Sequence, residues 1–195
     1  MRILFDMDDA SDCKLEDIEA AERDAIQTLQ NAQPESTLLR KECLERLGWI
    51  SWLRFTAALK RDNQSEEHYR FYGRAFNFYE SALSLTPEDD LGSLHSLHKA
   101  LGKIYLAGGQ FEQSEKQFNE ALRCSEMLGD LSSTAKVRLL LAHLYQQAGR
   151  IEEALQTATA ACQDLGKTGE GEWMNLCRQF LTNIKIALKQ AAPNR

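Results

Sequence analysis

Apolar residues recur at intervals of three and four along most of this chain, which predicts a succession of amphipathic helices and no strand. Leu15, Ile18, Ala21, Ala25, Ile26 and Leu29 mark a first helix over 14–33. Glu16, Asp17, Glu19 and Glu22 sit towards its start, where negative charge meets the positive end of the helix dipole. Asp12 is placed to cap it, and Pro34 to end it. A second helix runs over 36–60 with Leu38, Leu39, Leu44, Leu47, Trp49, Ile50, Trp52, Leu53, Phe55 and Ala58. That set is wider than one stripe, so neighbours are expected on two sides. After a polar connector at 61–65, residues 66–85 carry two stripes, Tyr69, Tyr72, Phe76 and Tyr79 beside Phe71, Ala75, Phe78 and Ala82. Packing from both sides is the expected use, with one stripe available to a partner.

From residue 91 the pattern repeats itself. Leu101-Gly102-Lys103-Ile104-Tyr105 returns as Leu141-Ala142-His143-Leu144-Tyr145, 40 residues later, and Gly108-Gly109 returns as Ala148-Gly149. Helices are predicted over 91–107, 111–128, 131–148 and 151–165, with Gly109 and Gly149 closing the preceding turns in the left-handed conformation. Gly166–Gly171 reads as a polar connector, and 172–190 as a last helix with one apolar face, Trp173, Leu176, Cys177, Phe180, Leu181, Ile184 and Leu188. Repetition at this period predicts an all-α fold: a right-handed α-solenoid of stacked antiparallel helix pairs, about seven to eight helices in all. The expected organisation is an N-terminal segment at 1–12 and one helical repeat domain at 13–190. The domain comprises a degenerate unit at 36–88, repeats at 91–128 and 131–166 and a capping helix at 172–190, with a tail at 191–195.

The repeated blocks resemble the tetratricopeptide repeat, whose pattern is W-x-x-L-G-x-x-Y, then A-x-x-x-F, then A and P. Leu101, Gly102, Tyr105, Phe118 and Ala121 match in the first block, and Leu141, Tyr145, Ala154 and Ala161 in the second. His98, Ser114 and Glu126 depart from it in the first, Ala142 and Ala158 in the second. The 40-residue spacing is similar to a longer variant with a Leu-Gly-Asp turn, here Leu128-Gly129-Asp130. The match is clear over 94–166 and weak elsewhere. Leu47-Gly48 is a faint counterpart of Leu101-Gly102, with Ser51 standing where tyrosine is expected.

Composition narrows the function classes. A chain of 195 residues buries roughly 70% of its unfolded surface and folds without metal or disulfide. The net charge of −6 opposes non-specific nucleic-acid binding, which needs a basic footprint. No apolar run reaches the ~18 residues of a membrane span. Cys13, Cys43, Cys124, Cys162 and Cys177 are odd in number and widely spaced, which reads as reduced thiols in a cytoplasmic protein.

The search for chemistry returns little. Ile3-Leu4-Phe5-Asp6-Met7-Asp8 resembles the first motif of haloacid-dehalogenase-like phosphatases, where two aspartates serve Mg²⁺ and substrate. The resemblance stops at Asp9, and alternating strands and helices do not follow. His95 and His98 share a helical face at a spacing that could hold Zn²⁺, without a third ligand at a further helical interval. The 166–171 loop lacks the order of a phosphate cradle. The chain is therefore read as no enzyme, with no cofactor and no metal.

Function is instead expected in the groove that the first helix of each pair lines in the resembled family. Repeat positions two, five, nine, twelve and thirteen map to Ser96, Lys99, Lys103, Leu106 and Ala107, and to Lys136, Leu139, His143, Gln146 and Gln147. The candidate binding residues are Lys99, Lys103, Leu106, Lys136, Leu139, His143 and Gln146. Lys99, Lys103 and Lys136 make a basic strip in an acidic protein, which suits an acidic peptide or a C-terminal carboxylate. The plain alternative is solvated lysines. The family's full carboxylate clamp is absent, since Lys103 and Leu140 stand where its asparagines belong. Two functions follow. One is a non-catalytic adaptor, scaffold or assembly factor holding a protein or peptide partner. The other is a structural subunit of a homo- or hetero-oligomer, with the aromatic 49–79 region as its interface.

Overall fold

The structure is a computed structural model that describes residues 15–61 and 66–191. The expectations for 1–12, for Asp6 and Asp8, for an Asp12 cap and for the tail lie outside the described residues. Among those described there are eight helices and no strand: α1 (Leu15–Asn31), α2 (Thr37–Arg61), α3 (Glu66–Ser84), α4 (Leu91–Ala107), α5 (Phe111–Met127), α6 (Leu131–Gln147), α7 (Ile151–Thr168) and α8 (Gly171–Ala191). The chain divides into two compact units, Met1–Ile104 and Tyr105–Arg195, and the boundary falls near the end of α4.

In the first unit α1 packs on α2, and α2 on α3. The wide apolar set of α2 is explained by this, since Leu47, Ile50, Leu53, Phe55 and Ala58 are all buried between neighbours on two sides. Gly48 faces the ring of Tyr79, and a Cβ there would stand 2.9 Å from two ring carbons. Leu47-Gly48 is thus a close helix–helix approach of the kind a small residue permits. Glu22 of α1 is clasped by Arg54 of α2 and Arg74 of α3, each at 2.7 Å. Arg54 lies over the Phe71 ring and Arg74 over Phe78. The α3 stripes divide differently from the sequence expectation. Tyr79 joins Phe71, Ala75 and Ala82 in the buried face, whereas Tyr69 is 65% exposed. Close approach at Gly48 draws Tyr79 inwards.

Lys41, buried on α2, donates to Asp90 at 2.8 Å and to Ser93 at 2.7 Å. Asp90 in turn accepts the Ser93 backbone N–H and so caps α4. The Lys41 hydrogen bond, helped by those from Ser93, pulls the Asp90 carboxyl down to about 2. A depressed carboxylate contributes stability that is present above its unfolded value, about 3.9, and lost as pH falls towards 2. Melting temperatures between pH 5 and pH 2 should therefore fall less steeply in Asp90→Asn, which keeps a capping side chain without the titration.

In the second unit α5 packs on α6, α6 on α7 and α7 on α8. Its core is Phe118, Ala121, Leu139, Ala142, Ala154, Ala158, Ala161 and Ile184, with small residues where the helices cross. The Tyr145 hydroxyl, at the repeat edge, donates to Glu115 at 2.8 Å. Burial and that carboxylate push Tyr145 up to about 12. Arg150 grips Glu115 and Glu153 and lies 4.3 Å from the Tyr145 ring centroid. Arg138 pairs with Asp164 and Glu126, and a buried Thr134–Ser125 hydrogen bond joins α6 to α5.

Left-handed glycines stand at 109, 129, 149 and 169, each with φ between 66° and 77°. At Gly129 the closing bonds are Gly129 N–H to Glu126 and Asp130 N–H to Ser125, the paired pattern that satisfies the last carbonyls of a helix. An L side chain is strained in that conformation by about 1–2 kcal/mol. The fourth glycine corrects the expected 166–171 connector. The helix α7 continues through Gly166, Lys167 and Thr168, and the link to α8 is Gly169-Glu170 alone. Met174 of α8 lies against Gly166, its methyl 3.5 Å from where a Cβ would be, an ordinary contact distance.

Candidate functional site

The repeat phase set by Leu47-Gly48 and Leu101-Gly102 turns matching faces of α2 and α4 towards one cavity in the first unit. Its volume is about 380 Å³, and Glu45, Trp49, Trp52, Tyr79, Ser96, Leu97, Lys99, Ala100 and Lys103 line it. Glu45, Trp49 and Trp52 hold on α2 the same repeat positions that Lys99, Lys103 and Leu106 hold on α4. Trp52 and Tyr79 are each 8% exposed and form an apolar wall, while Trp49, at 37%, opens to solvent. Two lysines and one glutamate leave the lining with a net charge of +1 inside an acidic protein. One buried carboxylate oxygen of Glu45 has no hydrogen-bond partner, and Lys41 Nζ stands 4.0 Å from it. Burial pushes the Glu45 carboxyl above its ordinary value, and Lys41 pulls back against it.

Three groove positions expected from the sequence, Ser96, Lys99 and Lys103, therefore share one cavity. Lys103 is 6% exposed, and Leu106 is buried and belongs to packing. The α6 residues have a different setting within the second unit, because α8 covers that face. Lys136 pairs with Glu170 at 2.9 Å and lies over the Trp173 ring. His143 packs edge-on against Phe180, its ring centroid 6.0 Å away, and meets Gln147 at 2.6 Å. Burial pushes His143 down to about 4, so it is neutral at neutral pH. Leu139 is fully buried and Gln146 half-buried.

The sequence analysis did not assign Glu45 to the groove, and Trp49 and Trp52, expected as part of an interface, also line this cavity. The signal was the Leu47-Gly48 pair, which fixes the repeat phase of α2. Ser51 hid it, buried at 1% where a tyrosine would have confirmed it. His95 is buried and His98 half-buried. Among the described residues no group of three or more His, Cys, Asp or Glu side chains could hold a metal ion, and no helix is long and apolar enough to cross a membrane.

Comparison with known proteins agrees with the fold. The tetratricopeptide repeat family matches residues 92–164. The crystal structure of the apo form of RapI superposes with a TM-score of 0.73 at 13% identity, covering 91% of this chain and 59% of that one. This chain thus spans 59% of the RapI structure's length, and at that identity the likeness concerns the fold alone. BtubC (BKLC) from P. vanneervenii aligns over 91% of this chain and 94% of its own at 18% identity, with a TM-score of 0.40 too low to bear on the fold. No curated protein matches the sequence. Residues 92–164 thus match the tetratricopeptide repeat, and the fold of the chain is similar to that of a helical-repeat protein.

Proposed function

We propose that the chain is a non-catalytic adaptor or assembly factor, and that the α2–α4 cavity receives an extended segment of a protein partner. The observation that carries this reading is the lining itself. Trp49, Trp52 and Tyr79 offer apolar area to a side chain, Lys99 and Lys103 offer charge to a carboxylate, and the Glu45 oxygen without a partner calls for an N–H donor. An extended peptide supplies all three, whereas a simple anion would be repelled by Glu45. At about 380 Å³ the cavity is at the small end of ligand pockets, roughly 300–1,000 Å³, a size for an anchoring side chain rather than a folded element. The four described cysteines are free thiols, which fits a reducing, cytoplasmic setting.

A half-exposed tryptophan in a pocket is the usual form of an interface anchor, where truncation costs about 2 kcal/mol or more, roughly 30-fold in affinity. Partners recovered by affinity purification from the native cell should therefore be lost in Trp49→Ala and in Lys99→Glu, with melting temperature held within a few degrees. Unchanged recovery in both variants would remove the cavity from the interface.

The reading as a permanent subunit through the aromatic 49–79 region draws on Tyr69 and Trp49, at 65% and 37% exposure. It expects a mass above that of one chain in light scattering at high concentration, and a strict monomer would exclude self-association through that face.

A further inference from the structure

We propose that Cys162, Met174 and Cys177 form a binding site for a soft monovalent metal ion, Cu(I), between α7 and α8. The site lies wholly within the second unit and does not depend on how the α2–α4 cavity is used.

Helix periodicity brings the three sulfurs together. Ala158, Cys162 and Gly166 follow one another at intervals of four on α7 and share a face, and Met174 and Cys177 share a face of α8. The two faces meet. The Cys162 thiol donates to the Met174 thioether at 3.5 Å. The Cys177 thiol donates to the Ala158 carbonyl at 3.2 Å, one turn of α7 from Cys162. The Met174 methyl rests over Gly166, so this side chain lies along α7 between Gly166 and Cys162. Burial, and after it a hydrogen bond with Cys162, push the Cys177 thiol above its ordinary value. The two thiols are therefore neighbours of each other as well as of the thioether or its helix.

The spacing suits a metal. Thiolate sulfur stands about 2.3 Å from an ion such as zinc, which sets three sulfurs around one centre roughly 4 Å apart. The Cys162–Met174 separation of 3.5 Å is close to that, so small side-chain rotations would admit the ion without moving a helix. Cys162 and Met174 are half-buried and give access, whereas Cys177 is fully buried and closes the inner side.

The donor set selects the ion. Thiolate and thioether are soft ligands, and together they favour Cu(I). A structural Zn(II) site takes four ligands drawn from Cys, His, Asp and Glu. Among the described residues no third ligand of those kinds joins the two cysteines. Loading exchanges one Cu⁺ for two protons, one from each thiol, and no electron moves. The charge of a bound metal ion deprotonates a coordinating thiol outright, so the burial that keeps the free Cys177 thiol protonated does not bar binding.

The test titrates Cu(I) into the full, reduced chain without oxygen, against a colorimetric Cu(I) chelator, with native mass spectrometry to count the metal. The wild type should take a single Cu(I) from the chelator, and excess Zn(II) should leave it in place. Cys162→Ser and Cys177→Ser should each abolish this uptake, whereas Cys43→Ser and Cys124→Ser, which alter buried thiols elsewhere, should retain it. Met174→Leu keeps the volume and removes the sulfur, and should weaken binding by about tenfold or more, the scale of losing even an outer partner of a metal. Cys162 is half-buried, so its serine variant should melt within a few degrees of the wild type, which separates lost binding from lost folding. Failure of the wild type to compete with the chelator, equal uptake by the Cys162→Ser chain, or replacement of Cu(I) by Zn(II) would overturn the proposal. Loss in both cysteine variants with Met174→Leu unchanged would overturn the three-sulfur site in favour of a two-coordinate dithiolate.

Discussion

Glu22→Ala should lower the stability of the chain by about 3–5 kcal/mol, the usual cost of removing one partner from a buried ion pair. The Glu22 side chain is 12% exposed and bridges Arg54, at 21%, to Arg74, at 34%. Deleting the carboxylate removes the 2.7 Å ion pair that the mostly buried Arg54 guanidinium makes, with its Nε already lacking a hydrogen-bond partner. Arg74 is a third exposed and can turn to water, so most of the cost belongs to Arg54, which favours the lower end of the range. Thermal melting measures it: at roughly 2–4 °C per kcal/mol for a chain of this length, a loss near 10 °C is expected. Glu22→Gln should fall between the two, because it retains an acceptor while discarding the charge. A melting temperature unchanged in Glu22→Ala would mean that α1 is held by its apolar face alone.

Phe118→Ala should cost a similar amount, about 3–5 kcal/mol, through a different cause. Phe118 is fully buried in the second unit, and truncating it opens a void that close-packed helices refill only in part. The second repeat has Ala158 at the equivalent place, also fully buried. There α8 comes close enough for the Cys177 thiol to reach the Ala158 carbonyl at 3.2 Å. The reciprocal change, Ala158→Phe, should therefore destabilise by overpacking, by about 1–3 kcal/mol or more. If Ala158→Phe were neutral, the α7–α8 contact would be looser than its sulfur–carbonyl distance implies.

Much of this architecture was legible in the sequence because local and tertiary demands agree. Helix α4 begins and ends where its periodicity says, and α5, α6 and α3 differ by one residue at an end. The misreading at 166–171 came from glycine composition. Gly166 and Lys167 look like a loop, yet the period set by Gly109, Gly129 and Gly149 requires Gly169 to be the turn. The site was legible on one side only. Lys99 and Lys103 follow from the clear repeat, whereas Glu45, Trp49 and Trp52 depend on the phase of a helix whose tyrosine has become Ser51. What no pattern could supply is coverage. That α8 lies over Lys136 and His143 depends on which helix is neighbour to which, and a repeat consensus states the positions facing outwards without saying what stands in front of them.

The left-handed glycines have a further implication. With α4, α5 and α6 each 17 residues long and a three-residue turn after each, the interchangeable module is one helix plus one turn, and the two-helix repeat is two such modules. A second copy of Leu91–Asp130, spliced in after Asp130, would bring every capping aspartate, closing glycine and core position back into phase. In such a chain length behaves as an integer quantity: it can change by whole modules at little cost to folding, while a gain or loss of a single residue throws every later helix face out of step.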